Sequence, residues 1–101
     1  MEVNIVKPSE SLARHREEVL EIIAKYPVSN PRVFGSVARG EDVEGSDIDM
    51  IVHPAAGLSY FDLGRLVFEL ESLLNCTVDL GEDTSLKAHA RSNILRDARQ
   101  I

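Results

Sequence analysis

Two short groups of residues in this chain can do chemistry together. They are Gly35-Ser36 and, after ten intervening residues, Asp47-Ile48-Asp49. A glycine lets the backbone approach a ligand closely. Ser36 can open a short helix through Val37-Ala38-Arg39, offering its hydroxyl and backbone N–H groups to an anion. That pair suits phosphate oxygens. Asp47 and Asp49 fall at alternate positions of a strand, so both carboxylates point the same way. Without a cation their repulsion raises one pKa and weakens the strand. Magnesium reverses that penalty, because it binds through one or two carboxylates and completes its shell with substrate phosphates and water. The two groups together point to chemistry on a nucleoside triphosphate.

Several elements must form to position these residues. Leu12, Val19, Leu20, Ile23 and Tyr26 recur at helical spacing, with Ser9 or Ser11 available as the N-cap and Pro27 as the stop. Asn30-Pro31 reads as a turn, and Arg32-Val33-Phe34 as a short first strand. Residues 47–52 read as the second strand, with Ile48, Met50 and Val52 turned toward a core and Asp47, Asp49 and Ile51 toward a cleft. Ser59 and Asp62 have the capping-box pattern ahead of a stripe of Leu63, Leu66, Val67, Leu70, Leu73 and Leu74. Gly64 near the start of this helix lowers its propensity.

Residues 76–81 read as a third strand. The second strand, the leucine-striped helix and the third strand then make a βαβ unit with a right-handed crossover and parallel strands. That places Asp79 beside Asp47 and Asp49. The short link between the first two strands makes that pair antiparallel. A last helix is expected from about Thr84-Ser85, with Lys87, Arg91, Arg96 and Arg99 on its outer face. Three carboxylates make room for two ions, roughly 3.5–4 Å apart in typical two-metal sites. Asp-x-Asp alone, a lone strand-end Asp or a lone Gly-Ser turn is unspecific; their conjunction, each on its own strand edge, is what carries the reading.

Composition bounds the rest. The chain has 101 residues, enough for a single domain spanning 1–101 with one modest core. Its 17 acidic residues against 11 Lys and Arg give a net charge of -6, which argues against direct nucleic-acid binding. Cys76 is the sole cysteine, so no intrachain disulfide forms; it reads as a small residue beside a strand. No apolar run reaches membrane length. The segment Met1-Glu2-Val3-Asn4-Ile5-Val6-Lys7 does not have the pattern of a signal peptide, so a cytoplasmic location is expected. Arg39 either reaches a phosphate or pairs with the acidic loop at Glu41–Glu44. Ser46 is expected to bond the local backbone, His53 to have a surface role, and His15 and His89 to be solvated.

The ordered set Gly35, Ser36, Asp47, Asp49 and Asp79 resembles the signature of the nucleotidyltransferase superfamily typified by the DNA polymerase beta palm. The strings Phe-Gly-Ser-Val-Ala-Arg-Gly-Glu and Gly-Ser-Asp-Ile-Asp-Met-Ile-Val are similar to the minimal nucleotidyltransferase (MNT) branch, as is the later Thr-Val-Asp-Leu. The resemblance covers about residues 12–101. It implies an α/β (α+β) fold of the polymerase beta palm type, a small mixed sheet flanked by helices. It implies a type VII-like antitoxin of a HEPN–MNT toxin–antitoxin pair, transferring AMP from ATP to a tyrosine of a HEPN RNase toxin in a stable hetero-oligomer. By the same resemblance Asp47, Asp49 and Asp79 are catalytic and bind Mg2+, two ions on the two-metal pattern, and Gly35, Ser36 and Arg39 bind the nucleotide. Two other readings remain open from sequence: neutralisation by binding alone, and nucleotidyl transfer to a small molecule. The small size, with little beyond a catalytic module, favours an acceptor supplied by a partner protein.

Overall fold

A computed structural model describes residues 6–101; the first five residues, part of the segment compared with a signal peptide, lie outside the described residues. The elements run α1 (Pro8–Arg14), α2 (Arg16–Ile23), β1 (Val28–Phe34), α3 (Gly35–Arg39), β2 (Ile48–Pro54), α4 (Tyr60–Leu74), β3 (Val78–Glu82), a 3-10 turn (Asp83–Ser85), α5 (Ala88–Asp97) and β4 (Arg99–Gln100). The four strands form one mixed sheet in the order β3-β2-β1-β4. β1 is antiparallel to β2 and to β4, and β2 is parallel to β3. The βαβ unit and the antiparallel first pair are therefore as the sequence predicts.

The core lies between the sheet and the helices α1, α2 and α4. Val19 and Ile23 from α2, and Leu66, Leu70 and Leu74 from α4, pack with Val33, Ile48, Met50 and Val78 from the strands. Each fully buried aliphatic side chain contributes about 1.5–3 kcal/mol. Because Ile48 and Met50 face α4, Asp49 between them faces away from it. Ile51, on the Asp49 side, is itself fully buried. α4 begins with the expected capping box: Ser59 Oγ accepts from the Asp62 backbone N–H, and Asp62 accepts from the Ser59 N–H, both at 3.1 Å. It ends at Asn75, whose left-handed backbone (φ 56°) closes the last turn.

Five expectations need correction. The first helix is two helices, broken at His15. Neither Ser9 nor Ser11 caps it: Lys7 holds the cap position, and Pro8 takes the first helical place. Ser11 is instead buried, and its Oγ donates to the Leu74 carbonyl at 2.8 Å. Asn30-Pro31 is not a turn between elements but a bulge within β1, where the register with β2 shifts and Asn30 adopts φ 51°. α5 starts at Ala88, later than expected, because residues 83–85 form a 3-10 turn first. Arg99, assigned from sequence to the helix face, lies instead on β4, opposite Val33 of β1.

Candidate active site

α3 follows β1 with no loop between, so Gly35 begins the helix where the strand stops. The turn needs φ 69° at Gly35, a left-handed value that favours glycine. It also needs the missing side chain, because a Cβ there would collide with Oδ2 of Asp49. Phe34 is registered opposite Asp49, which brings the Gly35-Ser36 turn over the β2 carboxylate. Val37 is buried and anchors α3 to the core, while Gly40 closes the helix in a left-handed conformation (φ 72°). Ser36 is partly exposed at the first turn.

Asp49 and Asp79 lie directly opposite one another on the parallel strands β2 and β3. Asp47 sits one residue ahead of β2, and both it and Asp79 are exposed, whereas Asp49 is partly buried. The Asp49 carboxyl is raised above its ordinary pKa, first by burial and then by the charges of Asp79 and Asp47; Arg39 opposes the rise. The fold thus gathers negative charge at one place with one nearby guanidinium. Among the described residues no three His, Cys, Asp or Glu side chains converge into a ready-made metal cage. The arrangement suits magnesium nonetheless, since that ion takes few protein carboxylates and fills its octahedron with phosphate and water.

Arg39 is paired with carboxylates of the acidic loop and of α5. Its Nε meets Glu41 Oε2 at 3.2 Å and its Nη1 meets Asp97 Oδ2 at 3.0 Å. These bonds, with Glu41 first, raise its already high pKa. Asp97 on α5 is a partner that sequence spacing does not reveal, 58 positions away. Ser46 accepts from the Val43 backbone N–H at 3.0 Å, as expected of a local bond. The acidic loop is not uniformly solvated: Asp42 is buried and accepts from the Ser9 backbone N–H at 2.8 Å. His53 is exposed and meets Asp83 at 3.0 Å, and Arg32 meets the same carboxylate at 2.7 Å. His15 is less solvated than expected, being half-buried at the α1–α2 break, while His89 is exposed. Cys76 is half-buried just ahead of β3, and burial pushes its thiol up.

The nucleotidyltransferase domain family matches residues 12–101 of this chain. The chain belongs to that family. It is similar to the protein adenylyltransferase MntA of Thermococcus cleftensis, with 36% identity over 86 residues, 85% of this chain and 84% of the relative. A solved structure of a "putative minimal nucleotidyltransferase" superposes with a TM-score of 0.82 and 40% identity, covering 92% of this chain and 95% of that one. A further neighbour is the tri-AMPylated Shewanella oneidensis HEPN toxin in complex with MNT antitoxin; its TM-score is 0.66 at 20% identity, over 87% of this chain and 69% of that one. At that identity the likeness is one of fold. This nucleotidyltransferase therefore has the mixed palm-like sheet expected from its motifs. None of its described helices is long and apolar enough to cross a membrane.

Proposed function

We propose that this nucleotidyltransferase transfers AMP from ATP to a tyrosine hydroxyl of a HEPN-type RNase toxin, and so acts as its antitoxin. The observation that carries this reading is the register of Asp49 with Asp79 beneath the Gly35 turn. A triphosphate on the Gly35-Ser36 turn lies next to those carboxylates. Asp47, Asp49 and Asp79 would hold magnesium, two ions on the pattern of other three-carboxylate sites. When bound, the metal neutralises charge on the triphosphate and on the departing pyrophosphate. The acceptor oxygen forms a bond to the α-phosphorus, the bond from that phosphorus to the β-phosphate oxygen breaks, and pyrophosphate leaves. Asp79, exposed at the edge strand, takes the hydrogen bond and then the proton of the acceptor hydroxyl. Ser36 holds phosphate oxygens through its hydroxyl and N–H. Arg39 is placed to add a guanidinium to the same phosphates if it exchanges one of its two carboxylate partners.

The identity to MntA supports a protein acceptor, and the acidic balance of this chain suits a basic, RNA-cutting partner better than RNA itself. The function fits a single catalytic domain in the cytoplasm, forming a hetero-oligomer with its toxin. The test is isotopic. With magnesium and the partner, ATP labelled in its α-phosphate should label the partner, and ATP labelled in its γ-phosphate should not. Label from the γ-phosphate would instead indicate a kinase, and no label from either would leave binding alone to explain neutralisation.

A further inference from the structure

The guanidinium of an arginine is planar and rigid. Its Nε and Nη2 form one fork of parallel N–H donors, and Nη1 lies on the far side of the group. In Arg39, Nη1 donates to Asp97 Oδ2 at 3.0 Å, and Nε donates to Glu41 Oε2 at 3.2 Å. Asp97 therefore takes no part of the fork, while Glu41 holds one of its two prongs. A phosphate gripped by two parallel bonds needs both prongs. Arg39 lies three positions after Ser36 on α3, so the two side chains share a helix face. Side chains on a helix lean toward its start, here toward the Gly35-Ser36 turn. The Arg39 charge is also felt at the Asp49 carboxyl, which it holds down against burial and the other two aspartates.

The two carboxylates are not held alike. Glu41 lies in the loop after α3 and its side chain is 64% exposed, against 24% for Asp97. Asp97 is the last residue of α5, and the chain runs on through Ala98 into β4, where Arg99 and Gln100 pair with Val33 and Arg32 of β1. Its second oxygen, Oδ1, faces Arg96 Nε at 3.7 Å. β1 in turn leads directly into Gly35. One strand thus fixes both the Gly35-Ser36 turn and the end of the helix that aims Arg39. Releasing Glu41 returns an exposed carboxylate to water at little cost, because exposed ion pairs contribute little. Releasing Asp97 would leave a less hydrated carboxylate behind and let the long arginine side chain swing away. An incoming phosphate therefore displaces Glu41 and leaves the Asp97 bond in place.

We propose that Asp97 is a positioning residue that aims the Nε–Nη2 fork of Arg39 at the triphosphate, and that Glu41 is a built-in competitor which the triphosphate displaces. The proposal rests on the reading of ATP as substrate, and it assigns opposite signs to two carboxylates on one arginine. Calorimetric titration of the protein with ATP and magnesium tests it. Glu41→Gln should bind ATP more tightly by about two- to fivefold, the range of an exposed ion pair. Asp97→Asn should bind it more weakly by about fivefold or more, as a charge-assisted bond is lost. Asp97→Glu keeps the charge and should recover most of that loss, which general damage to α5 would not allow. In an Arg39→Ala background both shifts should vanish. Glu41 is exposed, so its variant keeps the fold, and its sign alone decides the matter if Asp97→Asn is unstable. Shifts in the same direction at Glu41 and Asp97, no tightening in Glu41→Gln, or shifts that persist without Arg39 would overturn the proposal and leave the ATP reading standing. A wild type that binds no ATP would overturn both.

Discussion

A Cβ on Gly35 would fall on Oδ2 of Asp49. The Gly35-Ser36 turn and the carboxylate are thus one packed unit, and Gly35 is fixed twice over, by its positive φ and by its neighbour. Gly35→Ala should destabilise the fold by about 1–3 kcal/mol through backbone strain and displacement of Asp49. Gly40→Ala provides the control: its φ is also positive, at 72°, but nothing lies within 4 Å of the new Cβ. Urea unfolding of both should show the larger loss at Gly35, and ATP binding should weaken only there.

Asp49 is held above its ordinary pKa by burial and by the charges of Asp79 and Asp47. The same crowding strains the metal-free protein. Asp49→Asn removes one of the charges without changing the side-chain size. It should melt at a higher temperature than wild type in the presence of a chelator. Added magnesium and ATP should raise the wild-type midpoint and leave the variant nearly unmoved.

Asp83 behaves in the opposite sense. Burial alone would raise its pKa, but the bonds from Arg32 and His53 outweigh that and hold it below the ordinary carboxylate range. Its unfolded value is about 3.9. Its contribution is therefore fully present above that pH and is lost as pH falls through the lower, folded value. Unfolding at a series of acid pH values should show a steeper fall below about pH 4 for wild type than for Asp83→Asn.

Two polar bonds, one buried and one partly buried, tie α1 to the rest of the molecule. Ser11 Oγ donates to the last carbonyl of α4, and Asp42 accepts from the Ser9 N–H, one of the orphan donors in the first turn of α1. Ser11→Ala leaves a buried carbonyl unpaired and should cost about 1–2 kcal/mol. Asp42→Ala removes an N-terminal cap supplied from a distant loop and should cost about 0.5–2 kcal/mol. Hydrogen exchange should show α1 opening more readily in both variants.

Much of the fold was legible because several local signals agreed. Ser59 and Asp62, the leucine stripe behind them and the alternation from Ile48 to Val52 each follow from local chemistry, and together they dictate the βαβ unit. Asp79 could be placed opposite Asp49 because a parallel crossover leaves little choice of neighbour. The misread parts depend on distant contacts. Ser11 carries the ordinary mark of a cap, yet Leu74, 63 positions on, claims its hydroxyl. Asn30-Pro31 has turn chemistry, but pairing on both sides keeps it within β1 as a bulge. The two residues of β4 have no strand pattern of their own and pair only because β1 offers an open edge. Asp97, which ties down Arg39, is invisible to spacing for the same reason.

On the proposed function, Asp47, Asp49 and Asp79 carry adenylyl transfer from ATP to a partner protein. The most direct measurement is single-turnover labelling of the purified partner with α-labelled ATP and magnesium, comparing wild type with Asp47→Ala, Asp49→Asn and Asp79→Asn. Each variant should still fold and still bind the partner, yet transfer AMP slower by about a thousandfold or more, as expected when the groups that stabilise transferring phosphate are removed. Wild-type rates of labelling in Asp49→Asn, or in the other two together, would contradict the account.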